Sequence, residues 1–134
     1  MTNREQKSKV MSLSNRLAVQ MGRSAAFIQA WAIVKAGGIT LPVKGVTFGN
    51  RQEALKRLST YAPEAIRTFL VPEPNNPVDA NAIAIMVMVQ NGRGAYRLGY
   101  VPVRDTGIAV AVRGKASIRV LPGDIHGARL TLAV

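Results

Sequence analysis

The sequence predicts a mainly β domain, a small barrel of about six strands with two short helices, preceded by an N-terminal helical hairpin. Three observations carry this prediction. Apolar residues recur at steps of three and four up to a glycine pair, Gly37-Gly38. Beyond that pair the chain reads as short apolar runs separated by turn residues. One of those runs, Ala82 to Val89, is apolar at eight consecutive positions, as expected of a strand buried on both faces or inside a closed barrel. At 134 residues the chain suits one folded body with a small appendage. The expected boundaries are 1–37 for the hairpin and 39–134 for the barrel.

Val10, Leu13, Leu17 and Met21 form the apolar stripe of a first helix, which Gly22 breaks. Ser24 is the expected N-cap of a second helix, with Phe27, Ala30, Trp31 and Val34 facing inward and Gly37 and Gly38 stopping it. Arg16, Arg23 and Lys35 would contact phosphates if the pair were a DNA-reading helix-turn-helix. That motif needs a third supporting helix, so packing or docking on a protein partner is the favoured role.

Ile39 to Phe48 reads as extended, with Pro42 marking an edge or an irregular start. Arg51 to Ser59 is helical, turning Ala54, Leu55 and Leu58 inward, and Ala65 to Val71 returns to strand. After the Ala82–Val89 strand, Asn91-Gly92 signals a hairpin turn and Tyr96 to Val101 pairs back. Asp105 to Val112 reads as a short helix. Ser117 to Leu121 and Arg129 to Val134 close the series around the turn Pro122 to Gly127. Closure into a barrel would remove the exposed strand edges.

Hydrophobic residues make up 48% of the chain against 19% charged, which excludes a wholly disordered protein. Lysine and arginine number 18 against 7 acidic residues, a net charge of +11, and 12 of the cations are arginine. Such an excess points to a polyanionic partner met through forked guanidinium contacts. Without cysteine there is no disulfide, thiolate nucleophile or cysteine-based zinc site, and one histidine, His126, makes no metal cluster. The N-terminal segment lacks the apolar block of a signal peptide, and no apolar run approaches the roughly 20 residues of a membrane helix. A cytoplasmic protein, with no membrane contact, is expected.

Enzymatic signatures are weak. Gly92-Arg93-Gly94 lacks the lysine and helix start of a phosphate-cradling loop. Asp124 and His126 have no accompanying nucleophile and read as a turn aspartate and a surface histidine. Glu73, Asp79 and Asp105 are the carboxylates a magnesium-dependent nuclease would use, but no lysine is spaced to complete such a site. Met86 and Met88 read as core fillers. The loop from Pro72 to Asp79 is the most informative stretch: three prolines fix an extended backbone around Asn75 and Asn76. Asp79 and Asn81 are placed to satisfy backbone donors at the entry to the following strand.

Three segments together resemble the HIRAN domain: Gly45-Val46-Thr47-Phe48-Gly49-Asn50-Arg51, then Glu73-Pro74-Asn75-Asn76-Pro77-Val78-Asp79-Ala80-Asn81-Ala82-Ile83-Ala84-Ile85, then Leu98-Gly99-Tyr100-Val101-Pro102. The resemblance covers about residues 39–134, and the middle segment is its specific part. It implies a small OB-like or SH3-like barrel, of a kind found fused to DNA-remodelling helicases and alone in bacteria and phages. In the helicase-like members the domain captures the 3′ end of single-stranded DNA. By that resemblance Phe48 stacks on the terminal base, Asp79 accepts the free 3′-hydroxyl and Asn76 helps hold the terminal nucleotide. Val78 occupies the place of a second stacking aromatic, Thr47 and Val103 those of basic phosphate contacts, and Tyr100 that of a histidine. Arg51, Arg97 and Arg104 are the neighbouring cations able to replace the missing charge.

The expected function is therefore non-enzymatic binding of single-stranded DNA or DNA 3′ ends, or of RNA, in DNA repair, replication or phage DNA processing. No cofactor or metal is expected. The alternative is a structural or protein-docking subunit of a larger nucleoprotein or phage assembly.

Overall fold

A computed structural model describes residues 3–47, 49–89, 94–112 and 114–134. Phe48 and the Asn91-Gly92 turn lie outside the described residues. The chain is mixed α/β, with two N-terminal helices and six strands in two three-stranded antiparallel sheets. It divides into two compact units, one of Met1–Ile39, Gly107–Lys115 and Leu132–Val134, the other of Thr40–Thr106 and Ala116–Thr131.

In the first unit, α1 (Asn3–Met21) buries Val10, Leu13 and Leu17 as the spacing predicts, together with Ser14. Gly22 both ends α1 and begins α2 (Arg23–Ala36). Its N–H donates to the Ala18 carbonyl, its own carbonyl accepts from Ala26, and its φ of 84° is one that side-chain-bearing residues rarely take. The helix consequently starts before Ser24, which is not its cap. Gly37 ends it in the left-handed conformation, φ 83°. The inner face of α2 is Ala26, Ala30, Ile33 and Val34. Phe27, expected inside, is 44% exposed and packs edge to face on Trp31 at 6.4 Å, with the Lys35 ammonium 5.6 Å from the Trp31 ring. Ala26 and Ala30 leave room for α1 on the inner face, so the Phe27 ring is turned out while Trp31 is half-buried. Helix α4 (Thr106–Val112), entered through a 3-10 turn at Val103–Asp105, gives this unit two carbonyl acceptors: Gln20 donates to Gly107 at 2.8 Å and Arg16 donates to Ala111.

The strand order in one sheet is β1 (Gly38–Pro42), β6 (Gly127–Ala133), β5 (Lys115–Leu121), and in the other, which lies within the second unit, β2 (Ile66–Pro72), β3 (Ile83–Val89), β4 (Tyr96–Tyr100). β3 pairs antiparallel with both neighbours, Ile66 facing Val89 on one side and Ala84 facing Tyr100 on the other. Ile83, Ala84 and Ile85 are all buried, so the first half of β3 is covered on both faces, while Met86, Met88 and Val89 are half-exposed. Helix α3 (Arg51–Leu58) seals the core with Leu55 and Leu58.

The expected closed barrel is not formed. Pro42 ends β1 and Gly45, at φ 79°, turns the chain away, so the strand anticipated from Ile39 to Phe48 is cut short. What joins the two sheets is the short remainder: Val43 donates to Ala128, and Lys44 and Tyr100 exchange both backbone hydrogen bonds at 2.8 and 2.9 Å. Gly99 permits that approach, since a Cβ there would stand 2.4 Å from the Lys44 carbonyl oxygen. No ladder joins β2 to β5 among the described residues.

Candidate functional site

The polar centre of the second unit forms where the loop after β2 meets β4. Glu73 follows the last residue of β2, and its backbone N–H pairs with Ala82 at 2.9 Å, closing the loop at its base. Within the loop Asn76 is the organiser. Its Oδ1 accepts from the N–H groups of Val78 at 2.9 Å and Asp79 at 3.1 Å, and its Nδ2 donates to Glu73 Oε1 at 3.0 Å. Asp79 Oδ1 accepts from the Asn81 N–H at 2.9 Å, the local turn expected of an aspartate at a strand entry.

β4 supplies the other side through an irregularity. Ile85 and Met86 are consecutive in β3, but their partners are Gly99 and Arg97, which leaves Leu98 as an extra residue in β4. A side-chain period of two would put Arg97 and Tyr100, three apart, on opposite faces. The bulge resets the alternation and brings them to one face. Leu98 itself is fully buried, which anchors the bulge in the core.

The result is a convergent cluster. The Arg97 guanidinium pairs with Glu73 Oε2 at 2.5 Å, and the Tyr100 hydroxyl donates to Glu73 Oε1 at 2.9 Å. Two guanidinium groups lie against the Tyr100 ring, Arg51 at 5.7 Å and Arg97 at 5.6 Å from its centroid. Arg51 is also held by the Gly45 carbonyl at 2.6 Å. The hydrogen bonds from Asn76 and then Tyr100 hold the Glu73 carboxyl below its ordinary value, burial opposes them, and the Arg97 charge assists. The Tyr100 phenol is pushed up by burial and by donating to Glu73.

Two clefts open beside this cluster and share Arg97. One, of about 580 Å³, is lined by the Glu73–Val78 loop, Arg97 and Tyr100. The other, of about 680 Å³, runs between α3 and β4 past Arg51, Arg57, Tyr96 and Arg97.

Of the residues singled out from sequence, Asn76, Arg97, Tyr100 and Arg51 come together here. Asp79 lines neither cleft, its carboxylate being turned to Asn81. Arg104 also lines neither; its side chain is 80% exposed and pairs with Asp105 at 3.7 Å. Phe48 is outside the described residues. Sequence reasoning missed Glu73 as the hub, weighing it only as a nuclease ligand, and missed Arg57 and Tyr96. The available signal for Glu73 was a carboxylate fixed between Pro72 and Pro74 in a chain rich in cations.

Each carboxylate of the nuclease alternative is engaged: Glu73 with three donors, Asp79 with Asn81, Asp105 with Arg104. The described residues contain no group of three His, Asp or Glu able to hold a metal ion. His126 is only half-exposed, its backbone N–H and carbonyl both bonded to the Gln52 side-chain amide. No described helix is long and apolar enough to cross a membrane. No family model, curated protein or solved structure matches the chain.

Proposed function

We propose that the chain is a non-enzymatic nucleic-acid-binding module of HIRAN type, its two sheets representing an opened OB-like barrel, with single-stranded DNA or a DNA 3′ end as ligand. The observation that carries this reading is the Tyr100 ring, which lines one cleft and is flanked by the two guanidinium groups, Arg51 and Arg97, that line the other, in a chain of net charge +11. Cations along a groove track phosphates while aromatic rings offer stacking surfaces to bases, which is how single strands are held without base-pair readout. The sequence resemblance supplies the preference for an end, through Asp79 and Phe48. A cytoplasmic setting fits such a ligand.

Fluorescence anisotropy with a short labelled strand tests the reading. Affinity should fall steeply with salt, with a clearly negative log–log slope, because phosphates release counterions on binding. A flat response, or no binding at low salt, would exclude nucleic acid and favour the protein-docking alternative. Matched strands ending in 3′-hydroxyl or 3′-phosphate then isolate the end. A carboxylate accepts from a hydroxyl and repels a phosphate, so Asp79→Asn should abolish any hydroxyl preference while retaining an oxygen for the Asn81 N–H. Phe48→Ala should weaken both ends alike. Equal wild-type affinity for the two ends would refute the role of Asp79.

A further inference from the structure

Three donors of different chemistry converge on one carboxylate: the Arg97 guanidinium, the Tyr100 hydroxyl and the Asn76 amide all point to Glu73. The geometry points to an oxyanion cradle, occupied in the free protein by Glu73 and taken over by a phosphate group of the bound nucleic acid. This inference rests on the proposed nucleic-acid function and adds to it a residue that sets affinity by competing with the ligand.

A carboxylate and a phosphate present the same feature to these donors, two oxygens that share negative charge and accept a forked guanidinium. The cradle is already assembled for an anion. Asn76 is fixed by two backbone N–H groups and Tyr100 by its backbone exchange with Lys44, so an incoming phosphate needs little further ordering of its donors. Glu73 lines the 580 Å³ cleft and its side chain retains 18% exposure. It can swing out without unpacking core residues. Arg51 stands on the Tyr100 ring beside the cradle, so the site stays cationic once Glu73 withdraws.

Competition of this kind makes an uncommon prediction, that removing a charge from the binding site tightens binding. Glu73→Gln keeps an oxygen for Tyr100 and Asn76 but frees the Arg97 charge. The variant should bind a short single strand about fivefold more tightly at low salt, the scale of one partly exposed ion pair. Its salt slope should stay close to that of the wild type, because the same phosphate enters the cradle in both proteins. Arg97→Gln should weaken binding and cancel the gain when combined with Glu73→Gln.

A second arm uses inorganic phosphate alone. At matched ionic strength, phosphate in place of chloride should raise the Tm of Glu73→Gln more than that of the wild type, and the added increment should vanish in the double variant. If Glu73→Gln binds the strand as weakly as Arg97→Gln, or no better than wild type, Glu73 serves to position Arg97 and the inference is overturned. Absence of the phosphate increment overturns it as well, whatever the strand does. If the wild type binds no strand at any salt while the phosphate increment is present, the cradle stands and the nucleic-acid reading falls.

Discussion

The helical hairpin and the Tyr100 corner are built on opposite principles. In the hairpin nearly every decisive residue is apolar and at helical spacing, and the polar help is two side chains reaching carbonyls of α4. In the corner the decisive residues are Glu73, Asn76, Arg97 and Tyr100, drawn from a proline-rich loop and a bulged strand. A hydrophobic stripe tolerates small errors of orientation because burial has no direction. A network of charge-assisted hydrogen bonds does not, since each donor must lie within a few tenths of an ångström of its acceptor. The hairpin therefore spends its sequence on stability, and the corner on position.

The largest effects should come from the two buried leucines that anchor these regions. Leu17→Ala in α1 and Leu98→Ala in the β4 bulge, both fully buried, should each cost about 2–5 kcal/mol in urea unfolding. The comparison is sharpened by ligand: after correction for folded fraction, Leu17→Ala should bind a single strand as wild type does. Leu98→Ala should bind more weakly, because Leu98 holds the bulge that turns Arg97 toward Tyr100. Equal binding by both would break the contrast.

Next in size is Gly99→Ala. Its Cβ would meet the Lys44 carbonyl oxygen at 2.4 Å and a Val43 methyl at 2.5 Å, so the strand junction must spread. A loss of about 1–3 kcal/mol is expected, read as a lower urea midpoint with unchanged slope.

A smaller effect depends on pH. Because contacts in the folded state lower the Glu73 pKa, their stabilisation is fully present above its ordinary value of 4.5 and is lost as pH falls through the lower folded value. Wild type should exceed Glu73→Gln in Tm by about 2–4 °C at pH 6, and the gap should close as pH falls toward 3. A gap independent of pH would mean that shape rather than charge holds the loop.

Least affected should be Phe27→Ala. With its ring half-exposed and touching Trp31 at 6.4 Å, the change should cost about 0.5–1 kcal/mol. A loss as large as that of Leu17→Ala would show that Phe27 is buried in solution, as its sequence spacing alone suggests.

The same contrast explains what was legible in the sequence. The stripe Val10, Leu13, Leu17 and the stops at Gly22 and Gly37 were readable because the period of a helix and the backbone freedom of glycine are local properties. So were the apolar run of β3, the α3 segment and the Asp79 turn, each fixed by residues within a few positions of one another. The phase of α2 was not, because either of two apolar faces satisfies its pattern and only packing against α1 selects the alanines over Phe27. Barrel closure was not, because it depends on where Pro42 and Gly45 end the first strand relative to partners more than 50 residues away. Least readable of all was the corner itself. One extra residue in β4 decides which face Arg97 occupies, and a bulge is set by the register of paired strands, a relation between distant segments that local sequence does not encode.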